Sequence, residues 1–318
     1  MNQHIHPILR DDYAIFTVET ENFLHQLSIW VNNMVPGAYV YGIPRVGKSR
    51  AMKYWLVNHF NNSTGQKVKV FRLIKKNSAA LSENGFLDEI IVALKGQYVK
   101  ISNTNSKAKR YDLVYNHMAT ELRNLKSVQA LFVIDEAQNL KDNEFKWLTN
   151  IQNMLDDFGC RLTYVLVGTE ELNALKTMYC SANETHIIGR FLLYDYRFSG
   201  VRTLEELEYI FTNYDEYSEW PINSKISYTE HFFTAAFKRG FRLKDYAELF
   251  WQEYQDIYAQ INTVKKLEVS MEHIGKAINY LFRTYQAQNA ESVVFNSKQV
   301  KEAIQHTQFY SYMSTMFR

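Results

Sequence analysis

The sequence predicts an α/β protein with a five-stranded, mostly parallel sheet, followed by a smaller helical domain. Three observations lead there. Five short apolar runs rich in β-branched and aromatic residues read as buried strands. Longer stretches with apolar residues three and four apart separate most of them and read as helices. After residue 200 the strand signal fades while helical, aromatic segments continue.

In chain order, residues 1–35 form a helical lead-in and AYVYG (38–42) is the first strand, followed by the helix SRAMKYWLVNHF. VKVFRLI (68–74) is the second strand, and two helices follow it, FLDEIIVALKGQYV and YDLVYNHMATELRNL. ALFVID (130–135) leads into FKWLTNIQNMLDDFG, whose last Gly suits a helix C-cap. LTYVLVG (162–168) and FLLYDYRF (191–198) complete the set. Strands alternating with helices imply crossover connections, hence a sheet covered on both faces. The expected domains are 1–200, an α/β nucleotide-binding domain, and 201–318, a helical lid with a C-terminal tail. TLEELEYIF opens the second with a Thr203/Glu206 capping box. Its aromatic residues recur at helical spacing, as in Tyr246, Phe250 and Tyr254, so packing accounts for them better than base stacking.

Composition narrows the classes. With 46% hydrophobic and 22% charged residues among 318, a sizeable core can form, and a net charge of +2 does not announce a nucleic-acid binder. Cys160 and Cys180 are the only cysteines, which suits reduced thiols in a cytoplasmic protein. No apolar run approaches the ~18 residues that a membrane span needs. The nine histidines show no metal-ligand pairing.

The chemistry sits at two strand ends. Gly42-Ile43-Pro44-Arg45-Val46-Gly47-Lys48-Ser49 fits G-x4-G-K-[ST] without departure, with a strand before it and a helix after it. In such a loop backbone N–H groups turn around phosphate oxygens and the helix N-terminus adds positive charge. Gly42, Pro44, Arg45, Val46, Gly47, Lys48, Ser49 and Arg50 are therefore the candidate nucleotide-binding residues, for ATP with Mg²⁺. Lys48 would reach the β- and γ-phosphates and Ser49 would hold the metal. In LFVIDEAQ, four apolar residues run into Asp135-Glu136 at a strand's carboxyl end, where open α/β sheets bind ligands. Asp135 would hold Mg²⁺ through water, and Glu136 would orient the attacking water. Gly168-Thr169 ends the next strand, where a polar residue could contact the γ-phosphate.

These motifs, in this order, resemble the AAA+ ATPases. Within them the chain is similar to transposition regulators of the TnsC/TniB type, which are related to the IstB-like helper ATPases. VYGIPRVGKSRA, LFVIDEAQNL, NMLDDFGCRLTYVLVGTEEL and GRFLLYDYRF carry the resemblance, which covers residues 15 to 255. It implies Thr169 as the sensor-1 residue, and Arg190 as an arginine finger supplied to the neighbouring subunit, with Arg197 competing. It implies Arg242 as the lid's sensor-2 residue, with Arg239 as the alternative because Gly240 is followed by Phe241. It further implies a ring or helical filament of the protein on double-stranded DNA, linking a target selector to a transposase, with hydrolysis driving disassembly. Lys75, Lys76, Lys107, Lys109 and Arg110 are the basic residues expected to meet DNA phosphates, with Ser, Thr and Asn in SNTNSKAKR as neutral donors. The competing reading is an ATP-binding oligomeric switch in a defence or regulatory complex. A small-molecule kinase and a helicase fit less well, since the chain has a helical lid and lacks a second RecA-like half. The final ~60 residues match nothing recognisable, and HTQFYSYMSTMFR reads as a docking tail or a last helix.

Overall fold

The computed structural model describes residues 5–63, 65, 67–77, 82–95, 106–261, 263–286 and 290–316. The chain divides into two compact units. One holds Phe23–Ile43 and Ala51–Phe198; the other holds Met1–Asn22, Pro44–Arg50 and Ser199–Arg318. Each unit has its own apolar core.

The first unit is built on a five-stranded, all-parallel sheet. Helix α1 (Val18–Asn32) precedes β1 (Gly37–Tyr41), and α2 (Lys48–Tyr54) follows the loop after it. Next come β2 (Val68–Ile74), α3 (Glu83–Lys95), α4 (Lys107–Leu125), β3 (Gln129–Asp135) and α5 (Asp142–Asp157). Strand β4 (Arg161–Val167), α6 (Glu171–Ser181) and β5 (Tyr194–Arg197) complete the unit. The strand order is β2-β3-β4-β1-β5, so β4 lies between the strands that carry the two motifs. Register follows from pairs such as Val40↔Val167, Val40↔Tyr196 and Ile134↔Leu166. β3 and β4 read as unbroken apolar runs because both faces are covered, and Leu131, Phe132, Val133, Val165 and Leu166 are fully buried.

Strand limits agree with the sequence reading to within a residue, except at β5. There Phe191 and Leu192 do not extend the strand. They sit, fully buried, in a single π turn, Ile188–Leu192. At the end of α5, Gly159 adopts φ +73° and its N–H donates to Asp156 O, while Cys160 N–H donates to Leu155 O. This is the Schellman arrangement that the terminal Gly predicts. Residues 96–99 of the expected second-strand helix lie outside the described residues.

The helical unit contains α7 (Leu204–Thr212), α8 (Ala247–Tyr258), α9 (Met271–Tyr285), α10 (Ser297–His306) and α11 (Phe309–Met316), with shorter turns between them. Thr203 caps α7 by accepting from Glu206 N–H, but the Glu206 carboxylate reaches Arg202 N–H instead of closing the box on Thr203. Phe250 and Tyr254 are fully buried and Tyr246 packs against the same core, as their spacing predicts. Residues 5–22, which the sequence reading placed with the α/β domain, join this core through Ile8, Tyr13 and Ile15. The Tyr13 and Tyr214 hydroxyls bond at 2.8 Å, and Asn279 donates to Ile8 O at 3.1 Å.

Among the described residues, His6 and His273 are buried in this unit, at 2% and 1% exposure. Burial pushes His6 down to about 3, with His231 and Arg10 adding to the effect, and pushes His273 down to about 4. Both are therefore neutral when folded, whereas the unfolded chain takes up their protons below about 6.5. Their contribution is present above that pH and is lost as pH falls through 6.5 toward 4. We expect the melting temperature to fall between pH 7 and pH 5, and the fall to be shallower in the His6→Asn/His273→Asn double variant. Equal pH slopes for variant and parent would contradict this account.

Candidate functional site

The parallel sheet brings the ends of β1, β4 and β3 to one edge. At the end of β1, a Cβ on Gly42 would fall 2.2 Å from Phe198 O, so only glycine lets the chain leave the strand there. Asp135 ends β3 at 7% exposure, and its Oδ1 accepts from Glu136 N–H at 3.1 Å. Glu136 turns out of the strand with φ +56° and is exposed; its Oε2 accepts from Gln138 Nε2 at 2.7 Å. Gln138 Oε1 is buried without a hydrogen-bond donor among the described residues and lies close to Gly168, where a Cβ would come within 2.3 Å of it. Gln138 thus lies between the Glu136 carboxylate and Gly168. The next residue, Thr169, is half-buried and its Oγ1 accepts from Glu171 N–H at 3.4 Å. Gln138 is a contact the sequence reading missed, although DEAQ displays it two residues from the glutamate.

The rest of the loop, Pro44–Arg50, belongs to the helical unit. Arg45 has φ +69° and Gly47 φ +113°, two left-handed residues in a short loop, as anion-binding backbone concavities require. A Cβ at Gly47 would meet nothing nearer than the Met271 side chain at 3.7 Å, so the backbone angle, and not packing, demands glycine there. Lys48 opens α2 and is 8% exposed, while Ser49 is exposed. An ammonium, a hydroxyl and the amides at a helix start form a donor set that fits a polyphosphate with a hard cation.

Three parts of the helical unit touch this loop. The Tyr312 hydroxyl donates to Pro44 O at 2.9 Å. Glu272 donates its backbone N–H to Arg45 O at 3.2 Å, and its carboxylate pairs with the Arg45 guanidinium at 3.4 Å. Arg50 donates to Tyr13 O at 2.7 Å and pairs with the Asp11 carboxylate at 2.9 Å.

The arginines expected to sense or transfer charge have protein partners. Arg190, half-buried in the π turn, donates to Gln152 Oε1 at 3.0 Å and to Asn153 Oδ1 at 2.7 Å, both on α5. Its carbonyl abuts Gly37, the first residue of β1, at the opposite end of that strand from Gly42. Arg197 ends β5, exposed, 3.7 Å from Glu170. Arg242 donates to Phe237 O and Phe241 O at 2.8 and 2.7 Å and lies 3.7 Å over the Phe237 ring. Arg239 pairs with Glu291 at 2.5 Å.

The basic residues expected at DNA divide into two kinds. Lys75 is corrected: it is 2% exposed and held between Glu89 at 3.0 Å and Glu144 at 2.9 Å, which leaves it no access to a phosphate. Arg110 is corrected likewise, since it is buried and its Nε and Nη2 reach the two oxygens of Asp88 at 2.6 and 3.2 Å. Lys76, Lys107 and Lys109 are exposed, with Lys107 3.1 Å from Glu83. Ser106 caps α4 by accepting from Lys109 N–H at 3.3 Å; residues 102–105 lie outside the described residues. The physical reason for the two corrections is shared. Glu89 and Asp88 on α3 and Glu144 on α5 point carboxylates at these cations, and spacing alone does not reveal that.

Sheet order, the glycine-bearing loop after β1 and the acidic end of β3 together define an AAA+ P-loop fold followed by a helical domain. Comparison with known proteins agrees: residues 37–175 match the family model described as an AAA domain. The chain is similar to the ORC2 protein of Aeropyrum pernix solved as ADPNP-ADP complexes, with TM-score 0.59 and 11% identity over 96% of this chain and 72% of that one. It is also similar to the ORC1 protein of Aeropyrum pernix in complex with DNA, with TM-score 0.55 and 12% identity over 94% of this chain and 68% of that one. No curated protein matches the sequence. Among the described residues no helix is long and apolar enough to cross a membrane.

The ion-paired burial of Lys75 yields a direct test. Lys75→Ala leaves Glu144, itself 1% exposed, as an uncompensated buried carboxylate. We expect a loss of about 3–5 kcal/mol in denaturant unfolding, against little change for Lys76→Ala. Equal stabilities for the two variants would show that the Lys75 pairing is not formed.

Proposed function

We propose that the protein is a DNA-dependent AAA+ ATPase acting as an assembly switch. The observation that carries this reading is the pairing of a G-x4-G-K-S loop after β1 with Asp135-Glu136 after β3, in a sheet where only β4 separates the two strands. The reaction is ATP + H₂O → ADP + phosphate. Lys48 neutralises charge on the β- and γ-phosphates. Ser49, and Asp135 through water, would hold Mg²⁺, which would supply positive charge against the phosphates. Glu136 accepts a hydrogen bond from the attacking water, and the Gln138 amide sets where that carboxylate points. Thr169 donates to the γ-phosphate or the water, and Arg242 reads the nucleotide from the lid after releasing its own carbonyl partners. Arg190 serves a neighbouring protomer. Its place beside the first residue of β1, away from its own phosphate loop, supports action in trans. Leaving Gln152 and Asn153 would couple that action to assembly.

Duplex DNA is the proposed scaffold, contacted by Lys76, Lys107 and Lys109 through sequence-independent, salt-sensitive phosphate contacts. The likeness to the Aeropyrum pernix ORC1 protein, solved in complex with DNA, supports this. The likeness of LFVIDEAQNL and its surroundings to TnsC/TniB-type regulators supports a role between a target selector and a transposase. In this role the protein forms a ring or filament in the cytoplasm, and hydrolysis dissolves it.

Lys48→Ala should remove ATP binding in a fluorescent-nucleotide titration; retained affinity would overturn the loop's assignment. Glu136→Gln should hold ATP and keep oligomers on duplex DNA in sedimentation or electron microscopy, where monomers alone would count against the switch. Arg190→Ala should suppress hydrolysis by about 10³-fold or more, and mixing it with Lys48→Ala, which keeps Arg190, should restore part of the activity. If no mixture restores turnover but Arg197→Ala mixtures do, Arg197 is the trans-acting group.

A further inference from the structure

The helical unit grips the phosphate loop from its carbonyl side. The Tyr312 hydroxyl donates to Pro44 O, and the first turn of α9 donates Glu272 N–H to Arg45 O. A trans peptide is planar, and its carbonyl and the following N–H point in opposite directions. Fixing Pro44 O on one side therefore fixes Arg45 N–H on the other, and fixing Arg45 O does the same for Val46 N–H. These are two of the amides that a loop of this kind offers to phosphate oxygens. The restraint is needed because Arg45 occupies the left-handed region at φ +69° without being glycine, a conformation that is costly unless its surroundings hold it.

Tyr312 is itself held firmly. Phe309 and Met313 on the same helix are fully buried. The His273 ring lies 4.9 Å from the Tyr312 ring, and His273 Nδ1 bonds Thr307 Oγ1 at 3.0 Å. Burial raises the Tyr312 hydroxyl above its ordinary range, so it stays a donor at neutral pH. The Arg45 guanidinium lies 5.8 Å over the same ring and pairs with Glu272.

We propose that Tyr312, with the start of α9, is a positioning residue for nucleotide binding: it sets the Arg45 and Val46 amides, so the last helix belongs to the nucleotide site. This rests on reading Gly42–Ser49 as a phosphate-binding loop. Tyr312 touches only the protein in this role, and its effect is on affinity.

Tyr312→Phe removes the hydroxyl and keeps the ring. The variant should bind a fluorescent ATP analogue about 3- to 10-fold more weakly, with KM raised and kcat little changed. Its melting temperature without nucleotide should stay near that of the parent, while amide exchange in residues 42–50 becomes faster. Parental affinity together with parental exchange in that loop would overturn the proposal. Should the variant fold poorly, the parent protein still decides: linkage is reciprocal, so adding ATP should slow exchange in residues 309–316, and no change there overturns it. Lys48→Ala separates the two readings. If it retains binding, the loop itself is misread; if it loses binding while Tyr312→Phe does not, only the positioning role falls.

Discussion

Parallel pairing of the five strands is the constraint on which the rest of the site depends. Because every strand runs the same way, β1, β3 and β4 deliver Gly42, Asp135 and Gly168 to one edge of the sheet. That edge is where a polar ligand can be met without breaking the core. The apolar runs beneath have one task, which is to hold register. Full burial of β3 and β4 on both faces does so, since a slip would also expose the acidic end of β3 at the wrong height.

Against this rigid edge, the polar residues are restrained one at a time. Glu136 accepts from Gln138, whose other amide atom lies close to Gly168 at the end of β4. Gly42 and Ile43 fall in the sheet unit and Pro44–Arg50 in the helical one. Within the helical unit, Tyr312, Glu272 and the stretch Asp11–Tyr13 hold its carbonyls and arginines.

Much of this was legible in the sequence because it is written in local pattern. The five strands, the G-x4-G-K-S loop and the acidic strand end depend on residues adjacent in the chain, and periodicity reports them. What escaped depends on partners distant in sequence. Lys75 and Arg110 read as free cations until Glu89, Glu144 and Asp88 are seen beside them. The same holds for residues 5–22, whose few apolar side chains join the helical core by contacts some 200 residues away in sequence, as between Tyr13 and Tyr214. Tyr312 lay in a segment resembling nothing recognisable, and its hydroxyl acquires meaning only from Pro44 O. The hydrogen bonds of Arg190 to Gln152 and Asn153, and of Arg242 to Phe237 O and Phe241 O, likewise join residues that local pattern does not pair.

The central claim is that nucleotide turnover belongs to an assembly and not to one chain. Specific ATPase activity measured across protein concentration, with and without duplex DNA, tests it most directly. The account predicts a rate per protomer that climbs with concentration and reaches its plateau at lower concentration when DNA is present. A rate per protomer that is independent of concentration and indifferent to DNA would contradict it.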